Sequence, residues 1–281
     1  MTVAIAARFP WGRLRKVVTS LPGSHFPGAI VLMADSRWTY DSRPPEDMGQ
    51  KVWPLAPERG IGAVFSGDVR VAEEAFAVMA DRLKSGDINP HMVGSQASSV
   101  LRHVYEAHVR RRKKGTKPES LIAIVGMVNR RGQSAMMSFS HLTDFQPVME
   151  AEVIAAGRPT ACKKFLDGLA AVEDSLLPNP GSWELDPHVW AMQLATHLYH
   201  GVIEPGEDPK VGGHVQLAVL SEQGWREDKI STTSTPDIPE TWQQVTTERD
   251  ELRRYHEVWK VPRLASGELD FGLRRLVEPS L

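Results

Sequence analysis

The chain has 281 residues, 41% of them apolar and 24% charged, with a formal net charge of −2. That length and apolar fraction can bury a substantial core in one domain with extensions, and the near-zero charge gives no overall field toward nucleic acid or an anionic membrane, so neither partner is expected. A lone cysteine, Cys162, excludes an internal disulfide and a thiolate metal cluster; it suits a reducing compartment and reads as a small apolar filler on a helix. No stretch reaches the roughly 18 consecutive apolar residues of a membrane-crossing helix. The N-terminal run has no basic region ahead of it and is too short for a signal peptide, so a cytoplasmic location is expected.

In chain order, residues 2–8 (TVAIAAR) and 29–35 (AIVLMAD) are short apolar, partly β-branched runs that read as buried strands. The stretch between them carries three prolines and three glycines and reads as a long inserted loop. A third strand is predicted over 60–67 (GIGAVFSG), passing into a helix capped by Asp68, with Ala72, Phe76, Met79 and Leu83 at helical spacing and Gly86 as its stop. A second helix is predicted from Pro90 to Arg112, where Val93, Ala97, Val100, Leu101 and Val104 form one apolar stripe. The basic run RRRKK (110–114) falls where that helix should end and reads as a solvated terminus complementing the carbonyl dipole.

Strands follow at 120–128, 133–140 and 147–156, the first two joined by an Arg-Arg-Gly turn. Gly157 precedes a third helix over about 160–172. A fourth is predicted over 186–203, with Asp186 as cap and Pro187 at the first helical position. A strand at 214–220 and a turn at Gly224 close the segment. His188, His197 and His200 read as structural or surface histidines, since no carboxylate completes a metal-ligand pattern. Trp183, Trp190 and Trp242 read as core or interface aromatics.

Strand groups alternating with helix pairs fit two stacked sheets with helices on each outer face better than a doubly wound parallel sheet. The expected class is α+β, a four-layer αββα sandwich over 1–230. A C-terminal extension over 231–281 would carry an amphipathic helix near 239–260.

If Met1 is removed, Thr2 carries a hydroxyl and a free α-amine on one residue, and the amine can serve as the hydroxyl's own base. Thr2 opening a strand, then Asp35-Ser36-Arg37 with Lys51 sixteen positions after the aspartate, then Gly67 in a Ser-Gly-Asp before a helix, then Gly157 before a third helix, then Asp208 with Gly212-Gly213: this order resembles the proteasome β-subunit and HslV-type peptidases among the N-terminal nucleophile (Ntn) hydrolases. The resemblance covers roughly residues 2–228 and implies the αββα fold and a threonine peptidase. In it Thr2 is the nucleophile, Lys51 lowers the amine's pKa from its reference of about 7.7–8.0, and Asp35 holds Lys51. Gly67 supplies an oxyanion N–H, and Asp208 helps to organise the amine.

Arg158 and Val211 stand where the family has serines, so the hydrogen-bond network at Asp208 should differ. The Thr2–Asp35 interval is about twice the family's. Thr19 stands at the familiar interval, but Pro22 would interrupt the strand it must begin, so Thr2 with an inserted loop is preferred.

The resemblance further implies peptide or unfolded-protein substrates, a self-compartmentalising homo-oligomer and an ATP-driven unfoldase as partner. No P-loop occurs in the chain, and no cofactor or metal is expected. Two alternatives stay open: a silent structural subunit that keeps the sandwich, and a small-molecule amidase with the same nucleophile.

Overall fold

The computed structural model describes residues 3–10, 28–39, 44–84, 89–112, 120–150, 152–176 and 187–230. Among the described residues it is a mixed α+β structure with two antiparallel five-stranded sheets and four α-helices. Thr2, Thr19, Asp186, Trp183, Trp242, most of the 9–28 loop and the whole 231–281 extension lie outside the described residues.

The first sheet joins β1 (Val3–Phe9), β2 (Ala29–Asp35), β8 (Val153–Gly157), β9 (Val215–Ser221) and β10 (Gly224–Ile230) in the order β10-β9-β2-β1-β8. The second joins β3 (Val52–Ala56), β4 (Ile61–Gly67), β5 (Leu121–Val128), β6 (Ser134–Ser140) and β7 (Val148–Glu150), in chain order. β1 and β2 are apolar on both faces because both faces are covered. Val3, Ile5, Ala7 and Phe9 pack with α3 (Pro159–Leu176) and α4 (Pro187–Leu198), while Ala4 and Ala6 face the second sheet. The same alternation splits Ala29, Val31 and Met33 from Ile30, Leu32 and Ala34.

Small side chains between the sheets permit close approach. Gly126 sits where a Cβ would come 2.8 Å from Ile30 Cγ2. On the far side of the second sheet, α1 (Val69–Arg82) and α2 (Pro90–Arg111) bury Phe76, Met79, Val93 and Leu101 against β4, β5 and β6. The stripes expected on both helices are all buried.

Local signals set the helix ends. Asp68 accepts hydrogen bonds from the N–H groups of Arg70 and Val71, satisfying two of the free donors at the start of α1. Asn89 caps α2 through the Met92 N–H, and α1 ends at Arg82; Gly86, expected as its stop, is outside the described residues. Arg110 and Arg111 of the basic run lie in the last turn of α2 and Arg112 forms an ion pair with Asp68, while residues 113 and 114 lie outside the described residues. Cys162 is buried on α3, and burial pushes its thiol up to about 11. His197 is a core residue whose Nε2 lies 3.0 Å from the Phe165 carbonyl oxygen; burial pushes its pKa down. Trp190 is buried against Phe9.

Four elements differ from expectation. β3 and β10 were not anticipated. The fourth helix gives way after Leu198 to a π-type turn over Tyr199–Ile203. The strand expected over 147–156 is two strands: β7 pairs with β6 in one sheet and β8 with β1 in the other. Among the described residues no helix is long and apolar enough to cross a membrane.

Candidate active site

Asp35 ends β2 and continues the row Ala29, Val31, Met33 toward the helices. Its side chain is 0% exposed, a costly place for a carboxylate unless every lone pair is matched. Oδ1 accepts from Val3 N–H at 2.8 Å and from Lys51 Nζ at 3.2 Å, while Oδ2 accepts from Gly212 N–H at 3.1 Å and Arg37 N–H at 3.3 Å. Four donors on two oxygens leave no room for a proton, so this carboxylate is ionised despite its burial. Burial raises the Asp35 carboxyl above its ordinary value, and the Lys51 charge and the Val3 and Gly212 N–H groups offset that rise only in part.

Lys51 stands one residue ahead of β3 and is 2% exposed. Burial pushes its ammonium down and Asp35 opposes that shift. Nζ also donates to the Arg37 carbonyl at 2.5 Å. Its backbone is fixed from the opposite sheet by Gln216, whose Oε1 accepts from Lys51 N–H at 2.7 Å and Val52 N–H at 3.2 Å and whose Nε2 donates to the Gly49 carbonyl at 2.5 Å.

The Val3 nitrogen that binds Asp35 is the one to which the carbonyl of Thr2 is covalently joined. Thr2 itself lies outside the described residues; its next neighbour shares a carboxylate oxygen with Lys51.

Gly67 closes β4. Because Val52 pairs with Val64, Lys51 and Gly67 lie at the same end of the β3–β4 pair. Its φ of +125° favours glycine, and a Cβ there would collide with the Ser120 carbonyl oxygen.

Asp208 is placed differently. Its Oδ2 accepts from Arg158 Nε at 2.6 Å and its Oδ1 from Lys210 N–H at 3.0 Å. Burial works to raise this carboxyl, but the Arg158 and Lys210 donors and charges together hold it below the usual carboxylate range. Arg158 directly follows Gly157, which is in register with Val3. Asp208 is four residues before Gly212, the Asp35 donor. The two ion pairs therefore flank the start of β1.

The structure gives Ser36 and Arg37 of the Asp35-Ser36-Arg37 motif partners that the sequence reading did not single out. Arg37 makes a two-point pair with Asp47, Nε to Oδ1 at 2.6 Å and Nη2 to Oδ2 at 2.9 Å. Ser36 Oγ donates to the Asp47 carbonyl at 2.9 Å and accepts from His214 N–H at 2.9 Å. Gln216 could have been found: it is the polar residue in an apolar strand, on the face that Ala218 and Leu220 present to the other sheet. Asp47 and His214 carry no such local signal.

A groove of about 840 Å³ between α2 and the β6–β7 edge, walled by Ser95, Arg102, Met137 and Met149, contains none of these residues. Among the described residues no three His, Cys, Asp or Glu side chains gather as a metal site.

Compared with models of protein families and with curated proteins, the sequence matches none of either.

Proposed function

We propose that the chain is a threonine-type amide hydrolase of the N-terminal nucleophile kind, its two sheets and outer helices forming an αββα sandwich, acting on peptide bonds within a homo-oligomeric compartment. One observation carries the reading: a fully buried, ionised Asp35–Lys51 pair bound to the backbone N–H of Val3, next in the chain to Thr2. Burying such a pair costs stability, and strongly perturbed buried charges cluster at functional sites.

In this mechanism Met1 is removed and the Thr2 amine, kept neutral by repulsion from Lys51, accepts the proton of the Thr2 hydroxyl as its oxygen attacks the amide carbon. The Gly67 N–H stabilises the oxyanion. The amine then protonates the leaving nitrogen, the C–N bond breaks, and an ester remains on Thr2. Water, deprotonated by the same amine, attacks the ester and returns the hydroxyl. Asp35 keeps Lys51 charged and in place throughout. No cofactor takes part.

The Arg158–Asp208 pair favours a second reading, in which the fold is kept and turnover lost, because Asp208 is already engaged by a guanidinium. Intact-mass measurement should show a chain beginning at Thr2. Peptide turnover by that species should fall at least about a thousand-fold in Thr2→Ala. Absent turnover in the parent, or turnover that survives the substitution, defeats the hydrolase and leaves the silent subunit. A monomeric mass in solution would argue against the compartment and for a small-molecule amidase.

A further inference from the structure

Arg158 has binding capacity that its ion pair does not use. Nε is spent on Asp208, but among the described residues the two terminal amino groups have no hydrogen-bond partner, and the side chain is 32% exposed. The neighbouring carboxylates do not occupy that end of the guanidinium: Asp35 is taken by Lys51 and backbone N–H groups, Asp47 by Arg37, and Asp208 by Nε. The guanidinium is also held in place. Asp208 is fixed by the Lys210 N–H and leads within four residues to Gly212, which binds Asp35, while Arg158 itself follows the partner of Val3. A planar fork with two free parallel N–H directions, fixed beside the start of β1 and open to solvent, matches a carboxylate.

We propose that Arg158 is a specificity-determining residue: its terminal nitrogens receive a substrate carboxylate that flanks the scissile amide, from an acidic side chain or from a free C-terminus. Asp208 then serves to aim the guanidinium. The inference rests on the threonine-hydrolase reading for the position of the bond that is cut.

Full-length Thr2→Ala protein, which keeps the surface without the nucleophile, tests this by fluorescence anisotropy with labelled short peptides of one core sequence. The first bears a glutamate and an amidated C-terminus, the second is uncharged with a free C-terminal carboxylate, and the third is uncharged and amidated. At least one carboxylate peptide is expected to bind about ten-fold more tightly than the uncharged one, the gain of a charge-assisted bond. Which of the two binds better tells side chain from terminus.

Adding Arg158→Gln should bring all three to one affinity. Since that change leaves Asp208 without its partner, Arg158→Gln with Asp208→Asn is measured alongside, with thermal melts to establish that each protein is folded. Equal affinities in the Thr2→Ala protein, no measurable binding of any peptide, or a carboxylate preference that survives the loss of Arg158 overturns the proposal. Failure of the hydrolase reading shows separately, as processed parent protein that binds carboxylate peptides but cuts none.

Discussion

Two ion pairs flank the start of β1, and they differ in nearly everything but charge. Asp35–Lys51 is sealed, with every carboxylate lone pair matched; Arg158–Asp208 keeps its guanidinium partly in water and leaves donors over. The sealed pair is positioned by groups from both sheets, Gln216 of β9 included, whereas the outer one joins the residue after β8 to a turn ahead of β9. Burial makes the first pair costly and therefore sensitive to loss of either partner. Exposure of the guanidinium makes the second of small consequence for stability.

The sharpest way to break that contrast is Lys51→Met. It should abolish turnover and lower stability by about 3–5 kcal/mol, since Asp35 would be left buried and uncompensated. Asp35→Asn combined with Lys51→Met should recover much of the stability and none of the turnover, as read by urea unfolding beside peptide hydrolysis. A near-neutral Lys51→Met would mean that the pair is not sealed.

Next in size is Gln216→Leu. It strands the Lys51 and Val52 N–H groups and the Gly49 carbonyl between the sheets, and urea unfolding should show a loss of about 1–3 kcal/mol, with turnover reduced because Lys51 is no longer held. Arg158→Met should change stability by about 1 kcal/mol or less by the same measurement; a loss as large as that of Lys51→Met would make the two pairs equivalent.

The smallest effect concerns Arg37–Asp47. The Arg37 hydrogen bonds hold the Asp47 carboxyl below its ordinary value, so the stability it contributes is complete above the unfolded carboxyl pKa of about 3.9 and is lost as pH falls through the lower folded value. Thermal melts of parent and Arg37→Met should therefore differ at neutral pH and converge in acid below that value. A gap that stays constant to low pH would place the effect of Arg37 in packing instead.

Much of the frame was legible because its signals are local. Unbroken apolar runs gave β1, β2, β4 and β5, the Asp68 cap is satisfied by the very next N–H groups, and the stripes of α1 and α2 are covered by the sheet they face. β3 escaped notice because Pro54 interrupts its reading as a strand. β10 escaped because Arg226 and Glu227 break its apolar pattern, charges that a strand paired among the described residues with β9 alone leaves to solvent. In the candidate site, the pairing of Asp35 with Lys51 was legible through the resemblance that their order and interval carry. Arg158 was legible as a change in the network at Asp208, but the ion pair between them was not, since it joins residues 50 positions apart.

Apart from β3 and β10, sequence alone determined where the described chain is extended and where α1 and α2 begin, because those choices rest on the apolar period and on hydrogen bonds within a few residues. Only the tertiary structure decided which sheet each strand joins: the run from Val148 to Gly157 reads as one strand, yet its halves pair with β6 and with β1. It also decided that Lys51 meets Asp35 out of water, and that Asp208 takes Arg158 as its partner. Strand partners and burial are properties of chain segments brought together from a distance, and the free energy that selects them appears only when both faces of each sheet are covered at once.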